Sequence, residues 1–97
     1  MTAYFVTRHP GALDWAQRRG IEAVRVAHLD PTQIAAGDIV MGTLPIHLAC
    51  EVCTMGGRYL HLELDLPADA RGRDLSADEL TAFGARLTEF VIRRVPT

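Results

Sequence analysis

The sequence contains no lysine: all ten of its basic residues are arginine. A GC-rich genome accounts for most of that bias, but its consequence stands. No lysine serves as a base or Schiff-base former, and a phosphate held by a charged side chain is held by arginine, which binds bidentately. Only two cysteines occur, Cys50 and Cys53, on one local segment, so there is no disulfide framework. Their mid-helix placement on an apolar face, with no second pair, reads as buried thiols rather than a redox or zinc motif. No apolar stretch reaches the ~18 residues of a membrane span. The N-terminus runs straight into a strand-like segment followed by Arg8, unlike a signal peptide, so a cytoplasmic protein is expected. Walker A, Gly-x-Gly-x-x-Gly and Gly-x-Ser-x-Gly patterns are all missing. No cluster of Asp or Glu marks a Mg²⁺ site, and neither a metal nor a cofactor is expected.

Neither sign of charge dominates. Ten basic and twelve acidic residues leave a net charge of −2, which argues against a protein held to duplex nucleic acid by bulk electrostatics. What remains is enough for a core: 48% of the 97 residues are apolar, so the chain reads as one folded domain over residues 1–97.

Residues 3–6 are a nearly continuous apolar run, expected of a buried strand. A helix follows over residues 11–20 and stops at Gly20. Residues 22–28 alternate in polarity and read as a second, more exposed strand. Asp30-Pro31 opens a short turn, and residues 39–41 form a third strand. The next helix, residues 45–55, is apolar almost all round, so it is either central or covered by a partner chain. Residues 58–65 are a fourth strand, with Leu60, Leu62 and Leu64 on one face. Ser76-Ala77-Asp78-Glu79 has the pattern of a capping box. A final helix is expected to carry Leu80, Phe83, Leu87, Phe90 and Val91 on one stripe. The alternation implies an α/β fold: a mostly parallel four-stranded sheet with helices on both faces. So small a sheet leaves edges and faces to protect, and a homodimer is expected, with helix 45–55 as first candidate for its interface.

Two polar turns draw the chemistry together: Thr7-Arg8-His9-Pro10-Gly11 and Gly42-Thr43-Leu44-Pro45. Each follows a strand and enters a helix. In an open α/β sheet, ligands bind outside the carboxyl ends of the strands, where backbone N–H groups and the helix dipole favour an anion. Arg8 can neutralise phosphate charge, and His9 can exchange a proton near neutral pH. The alternative is that Arg8 pairs with a surface carboxylate and His9 caps the turn. Gly42 permits close backbone approach, while the Thr43 hydroxyl either caps the helix or touches a phosphate. His47, one turn further on, faces the same crevice or sits among core neighbours. Arg71-Gly72-Arg73 suits a lid over an anionic ligand, or a solvated loop in which Asp69 and Asp74 pair with the arginines. Tyr4, Trp15 and Tyr59 read as core or interface aromatics, with base stacking as the other possibility. His28 and His61 carry no motif.

Three blocks in order then resemble one family: Tyr4-Phe5-Val6-Thr7-Arg8-His9-Pro10-Gly11-Ala12, Gly37-Asp38-Ile39-Val40-Met41-Gly42-Thr43-Leu44-Pro45, and Tyr59-Leu60-His61-Leu62-Glu63-Leu64-Asp65-Leu66-Pro67 with Arg71-Gly72-Arg73-Asp74-Leu75-Ser76. The chain is similar over essentially its whole length to small, single-domain CRISPR-associated proteins of the Csx type, linked to type III systems. The resemblance implies a Rossmann-like homodimer related to CARF domains, and a ring nuclease. Such an enzyme binds cyclic oligoadenylate, chiefly cyclic tetra-adenylate, and cleaves it to linear products. On that reading Arg8 and His9 are catalytic, and Thr7, Gly11, Gly42, Thr43, Leu44, Pro45, His47, Arg71 and Arg73 bind the ligand. A module that binds the cyclic nucleotide without cutting it would use the same turns.

Overall fold

In the computed structural model, which describes residues 1–97, the first apolar run becomes β1 (Ala3–Val6). It lies inside a five-stranded sheet of order β2-β1-β3-β4-β5, with β2 (Val24–Val26), β3 (Ile39–Gly42), β4 (Arg58–Glu63) and β5 (Arg86–Phe90). The first four strands are mutually parallel and β5 runs antiparallel to β4. Three helices complete the fold: α1 (Pro10–Arg18), α2 (Ile46–Thr54) and α3 (Ala77–Ala82).

Because successive strand residues point to opposite faces, the sheet divides its apolar side chains between two cores. Phe5, Met41 and Leu62 face α1 and α3, meeting Ala12, Trp15 and Leu80. Val40 and Tyr59 face the other way, against Ala49 and Val52 of α2 and Ile34. Trp15 and Tyr59 are 2% and 1% exposed, so both are core residues and neither ring is open to a base. On α2, Ala49, Cys50 and Val52 turn inward, while Ile46 is 73% exposed. The helix is thus covered on one side only.

The sheet has five strands where four are expected, and the last segment explains the difference. The stripe Leu80-Phe83-Leu87-Phe90-Val91 does not continue as one helix. The capping box forms as read, Ser76 and Glu79 exchanging hydrogen bonds at 3.1 Å, but α3 ends after Ala82. Gly84 then takes φ 74°, with Gly84 N–H donating to Thr81 C=O and Ala85 N–H donating to Leu80 C=O. That is a Schellman closure, which requires a left-handed residue and turns the chain out of the helix. Residues 86–90 then pair with 59–63, giving the β4 edge the partners it would otherwise lack. Arg58 clasps Glu89 at 2.7 and 3.0 Å across this pair. Leu87 fits both a helical stripe and a strand face, so periodicity alone misassigned it.

Before β3, the buried Asp38 carboxylate joins three pieces of chain. It accepts Thr2 N–H at 2.8 Å and Ala35 N–H at 2.9 Å, and its own C=O accepts Arg58 N–H at 2.8 Å. The N–H groups of Ala35 and Thr2 hold its carboxyl below the usual carboxylate range. A group with a depressed folded pKa contributes stability above its unfolded pKa, about 3.9 for Asp, and loses it as pH falls through the folded value. Asp38→Asn should therefore be less stable than the wild type at neutral pH. The difference should shrink as pH is lowered toward about 2, read by urea melts across the pH series.

Candidate functional site

The strand order reverses beside β1: the chain crosses from β1 outward to β2, then back over to β3. Connections leaving adjacent strands in opposite directions open a crevice at the strands' carboxyl ends. Both polar turns end there, residues 7–11 after β1 and residues 42–45 after β3. The crevice has two lobes. The one on the α1/α3 side holds about 160 Å³ and is lined by Thr7, His9, Thr43, Arg73 and Asp74 among others. The one on the α2 side holds about 280 Å³, with Arg8, His28, Thr43, Leu44 and Pro45 on its walls. Thr7, His9 and Thr43 line both lobes.

Its floor is backbone. Gly42 has φ 141°, and a Cβ on it would lie 2.5 Å from the Val6 carbonyl oxygen. No side chain can stand between the ends of β1 and β3. Thr7, 9% exposed, turns its hydroxyl onto its own chain and accepts His9 N–H at 3.0 Å. This small turn sends Arg8 toward the α2-side lobe and leaves His9 on the wall shared by both. At the far wall, a Cβ on Gly11 would lie 1.8 Å from the Leu75 carbonyl oxygen. That close packing seats the loop before α3 on the start of α1, which carries Arg73 and Asp74 to the crevice.

Charge pairing around the crevice is uneven. His9 Nδ1 sits 2.9 Å from Asp74 Oδ1, with both side chains more than half exposed. Arg73 reaches Glu79 at 2.6 Å. Glu79 is held below its ordinary pKa first by the Ser76 N–H and then by Arg73. Asp74 therefore partners the histidine rather than an arginine. Arg8 is exposed and has neither a carboxylate partner nor a hydrogen bond. Beside it, α1 and α2 both begin without a side-chain cap and without an acidic residue in the first turn. Neither helix start is capped by a side chain of its own, which favours an anion there.

Of the residues singled out from sequence, Thr7, Arg8, His9, Gly42, Thr43, Leu44, Pro45 and Arg73 gather at the crevice. His47 is exposed and lines neither lobe, as does Arg71. Gly11 acts through packing. One residue without a sequence motif lines the crevice and two more support it from behind. His28 lies at the end of β2, which only the parallel pairing with β1 brings alongside. Tyr59 and His61 stand behind the β3 turn, where Tyr59 Oη accepts Leu44 N–H at 2.9 Å. Their i, i+2 spacing on β4, opposite the Leu60/Leu62 face, was the only available signal.

No three His, Cys, Asp or Glu side chains converge where they could hold a metal ion. No helix is long and apolar enough to cross a membrane. Residues 4–93 match the family model described as "Putative CRISPR-associated protein (Cas_VVA1548)". No curated protein and no solved structure matches the chain.

Gly42→Ala should cost about 2 kcal/mol or more, because the new Cβ meets the Val6 carbonyl in a backbone conformation that L residues rarely adopt. Urea denaturation measures the loss, and an unchanged midpoint would show that the floor has room for a side chain.

Proposed function

The chain belongs to the CRISPR-associated family whose model it matches, and on that premise we propose that it is a ring nuclease of the Csx type, acting on cyclic oligoadenylate. The observation that carries the reading is Arg8: an unpartnered guanidinium between two uncapped helix N-termini, at the crevice where the sheet's strand order reverses. That is a site for phosphate held between backbone and arginine, without a lysine.

Cleavage of an RNA-type linkage proceeds here without a metal ion. The ribose 2′-OH attacks the adjacent phosphorus in line, the P–O5′ bond breaks, and a 2′,3′-cyclic phosphate and a 5′-OH result. The protein's task is to hold that alignment, offset the added negative charge and move one proton from the 2′-OH to the leaving oxygen. Arg8 offsets the charge. His9 handles a proton, its ring oriented by Asp74 at 2.9 Å. Gly42, Thr43, Leu44 and Pro45 hold phosphate and ribose from the β3 side, and Thr7 shapes the opposing turn. Arg73 exchanges its Glu79 contact for a phosphate when the ligand enters, and Arg71 and His47, which line neither lobe, reach the ligand only from outside the crevice.

In this reading the domain is Rossmann-like and CARF-related, works in the cytoplasm and pairs as a homodimer. A two-fold axis presents two copies of each turn to a ring of matching symmetry, most simply cyclic tetra-adenylate. The exposed side of α2, with Ile46 at its start, is the face offered to the second copy.

One observation favours a second reading, binding without cleavage. His9 and Asp74 are 61% and 80% exposed in the single chain, whereas charge stabilisation in catalysis is strongest where water is excluded. A protein that sequesters the ring needs no such enclosure.

Incubation with a several-fold excess of cyclic tetra-adenylate in EDTA, followed by chromatography, separates the readings. Full conversion to linear products is expected; tight binding of an intact ring would establish sequestration. Neither binding nor conversion would refute both for this ring. Arg8→Ala should lower turnover by about 10²–10³-fold, the usual cost of one transition-state donor. Its stability should stay within about 0.5 kcal/mol of wild type, as for an exposed, unpaired side chain. Wild-type turnover by the folded variant would remove Arg8 from the mechanism.

A further inference from the structure

The β3 turn has little of its own to hold it. Gly42 lies in a backbone region open to glycine, Pro45 provides no side-chain cap for α2, and Thr43 is exposed above the crevice. Yet Thr43 lines both lobes, so any ligand spanning them meets it. What supports the turn comes from behind, from the neighbouring strand. Tyr59 Oη accepts Leu44 N–H at 2.9 Å and lies 3.2 Å from Gly42 C=O and 2.6 Å from His61 Nδ1.

The hydroxyl donates its one proton to Gly42 C=O, and its oxygen accepts Leu44 N–H. His61 Nδ1, 2.6 Å away, meets the same oxygen, donating or accepting according to its tautomer. The hydroxyl is thus tied to Gly42 C=O and to Leu44 N–H, the two ends of residues 42–44. Burial pushes the Tyr59 hydroxyl above its ordinary pKa, against the smaller opposing effect of Leu44 N–H, so it stays a donor at neutral pH. His61 is itself held in place. Its ring stands edge-on between Tyr59, with centroids 5.7 Å apart, and Phe90, at 6.0 Å. In register it lies directly across from Gly42.

We propose that Tyr59 and His61 are positioning residues: the hydroxyl, oriented by His61, pins residues 42–44 so that Thr43 and the neighbouring backbone meet a phosphate-bearing ligand in one geometry. Neither side chain touches the ligand. Tyr59 is 1% exposed and His61 lies on the α2 side of β4, outside both lobes. The ligand half of this inference rests on the reading of the crevice given above, whereas the pinning itself does not.

The test uses Tyr59→Phe, His61→Ala and His61→Asn, whose side-chain amide can stand where Nδ1 stood, as donor or acceptor. Tyr59→Phe keeps the buried ring, so the fold is retained and only the hydroxyl is removed. The first readout is the backbone amide spectrum without ligand. In Tyr59→Phe and His61→Ala the amides of Gly42, Thr43 and Leu44 should shift and broaden while those of α1 and α3 stay in place. His61→Asn should return them toward wild-type positions. The second readout is steady-state cleavage of cyclic tetra-adenylate, or affinity if the ring is left intact. Tyr59→Phe and His61→Ala should lose about ten-fold in kcat, or in affinity for an intact ring, as expected for a misplaced binding loop. KM should change by less than about two-fold, and His61→Asn should recover most of the loss. Unmoved loop amides in Tyr59→Phe, or no recovery in His61→Asn, would overturn the proposal. Moved amides in a protein whose wild type ignores the ring would uphold the pinning and discard the ligand reading.

Discussion

The whole arrangement depends on how closely the ends of β1 and β3 approach. At Gly42 the backbone of β3 passes so near the Val6 carbonyl that no Cβ fits between them. The two strands therefore deliver their turns side by side, and both helices that follow begin at one crevice. A bulkier residue would push the β3 turn away and separate the helix ends. The floor, the two lobes and the shared position of Thr43 all follow from that contact.

Electrostatics then distinguishes residues that surround the crevice. Most charged side chains nearby are engaged: His9 with Asp74, Arg73 with Glu79, and further away Arg18 with Asp14 and Asp78. Exposed pairs of this kind add little to stability. Their effect is on availability. An arginine already facing a carboxylate must leave it to hold a phosphate, whereas Arg8 has nothing to leave. Together with two helix starts that lack a side-chain cap, this favours an anion beside Arg8. Behind the β3 turn, the Tyr59 hydroxyl holds Gly42 and Leu44, with His61 against it.

Much of this was legible in the chain itself. The runs at residues 3–6 and 39–41, the glycine stops and the capping box at Ser76 were local signals, and local hydrogen bonding enforces them. The same holds for the two turns, because a strand followed by Gly or Pro and a helix has few other shapes. The last segment was not legible. Leu80, Phe83, Leu87 and Phe90 satisfy a helical stripe; Gly84 ends the helix, and pairing with the β4 edge makes residues 86–90 a strand. His28 and Tyr59 joined the site for a similar reason: strand order and register put them there, and neither is encoded by neighbours in sequence.

The sequence by itself thus determined the α/β character, the parallel core strands and the composition of both turns, since each depends on residues within a few positions. Tertiary structure alone decided the fifth strand, the pairing of His9 with Asp74, the freedom of Arg8 and the support of the β3 turn by Tyr59 and His61. Each of these joins groups far apart in the chain. Their energies belong to contacts that exist only after the sheet has assembled, and no local pattern carries them.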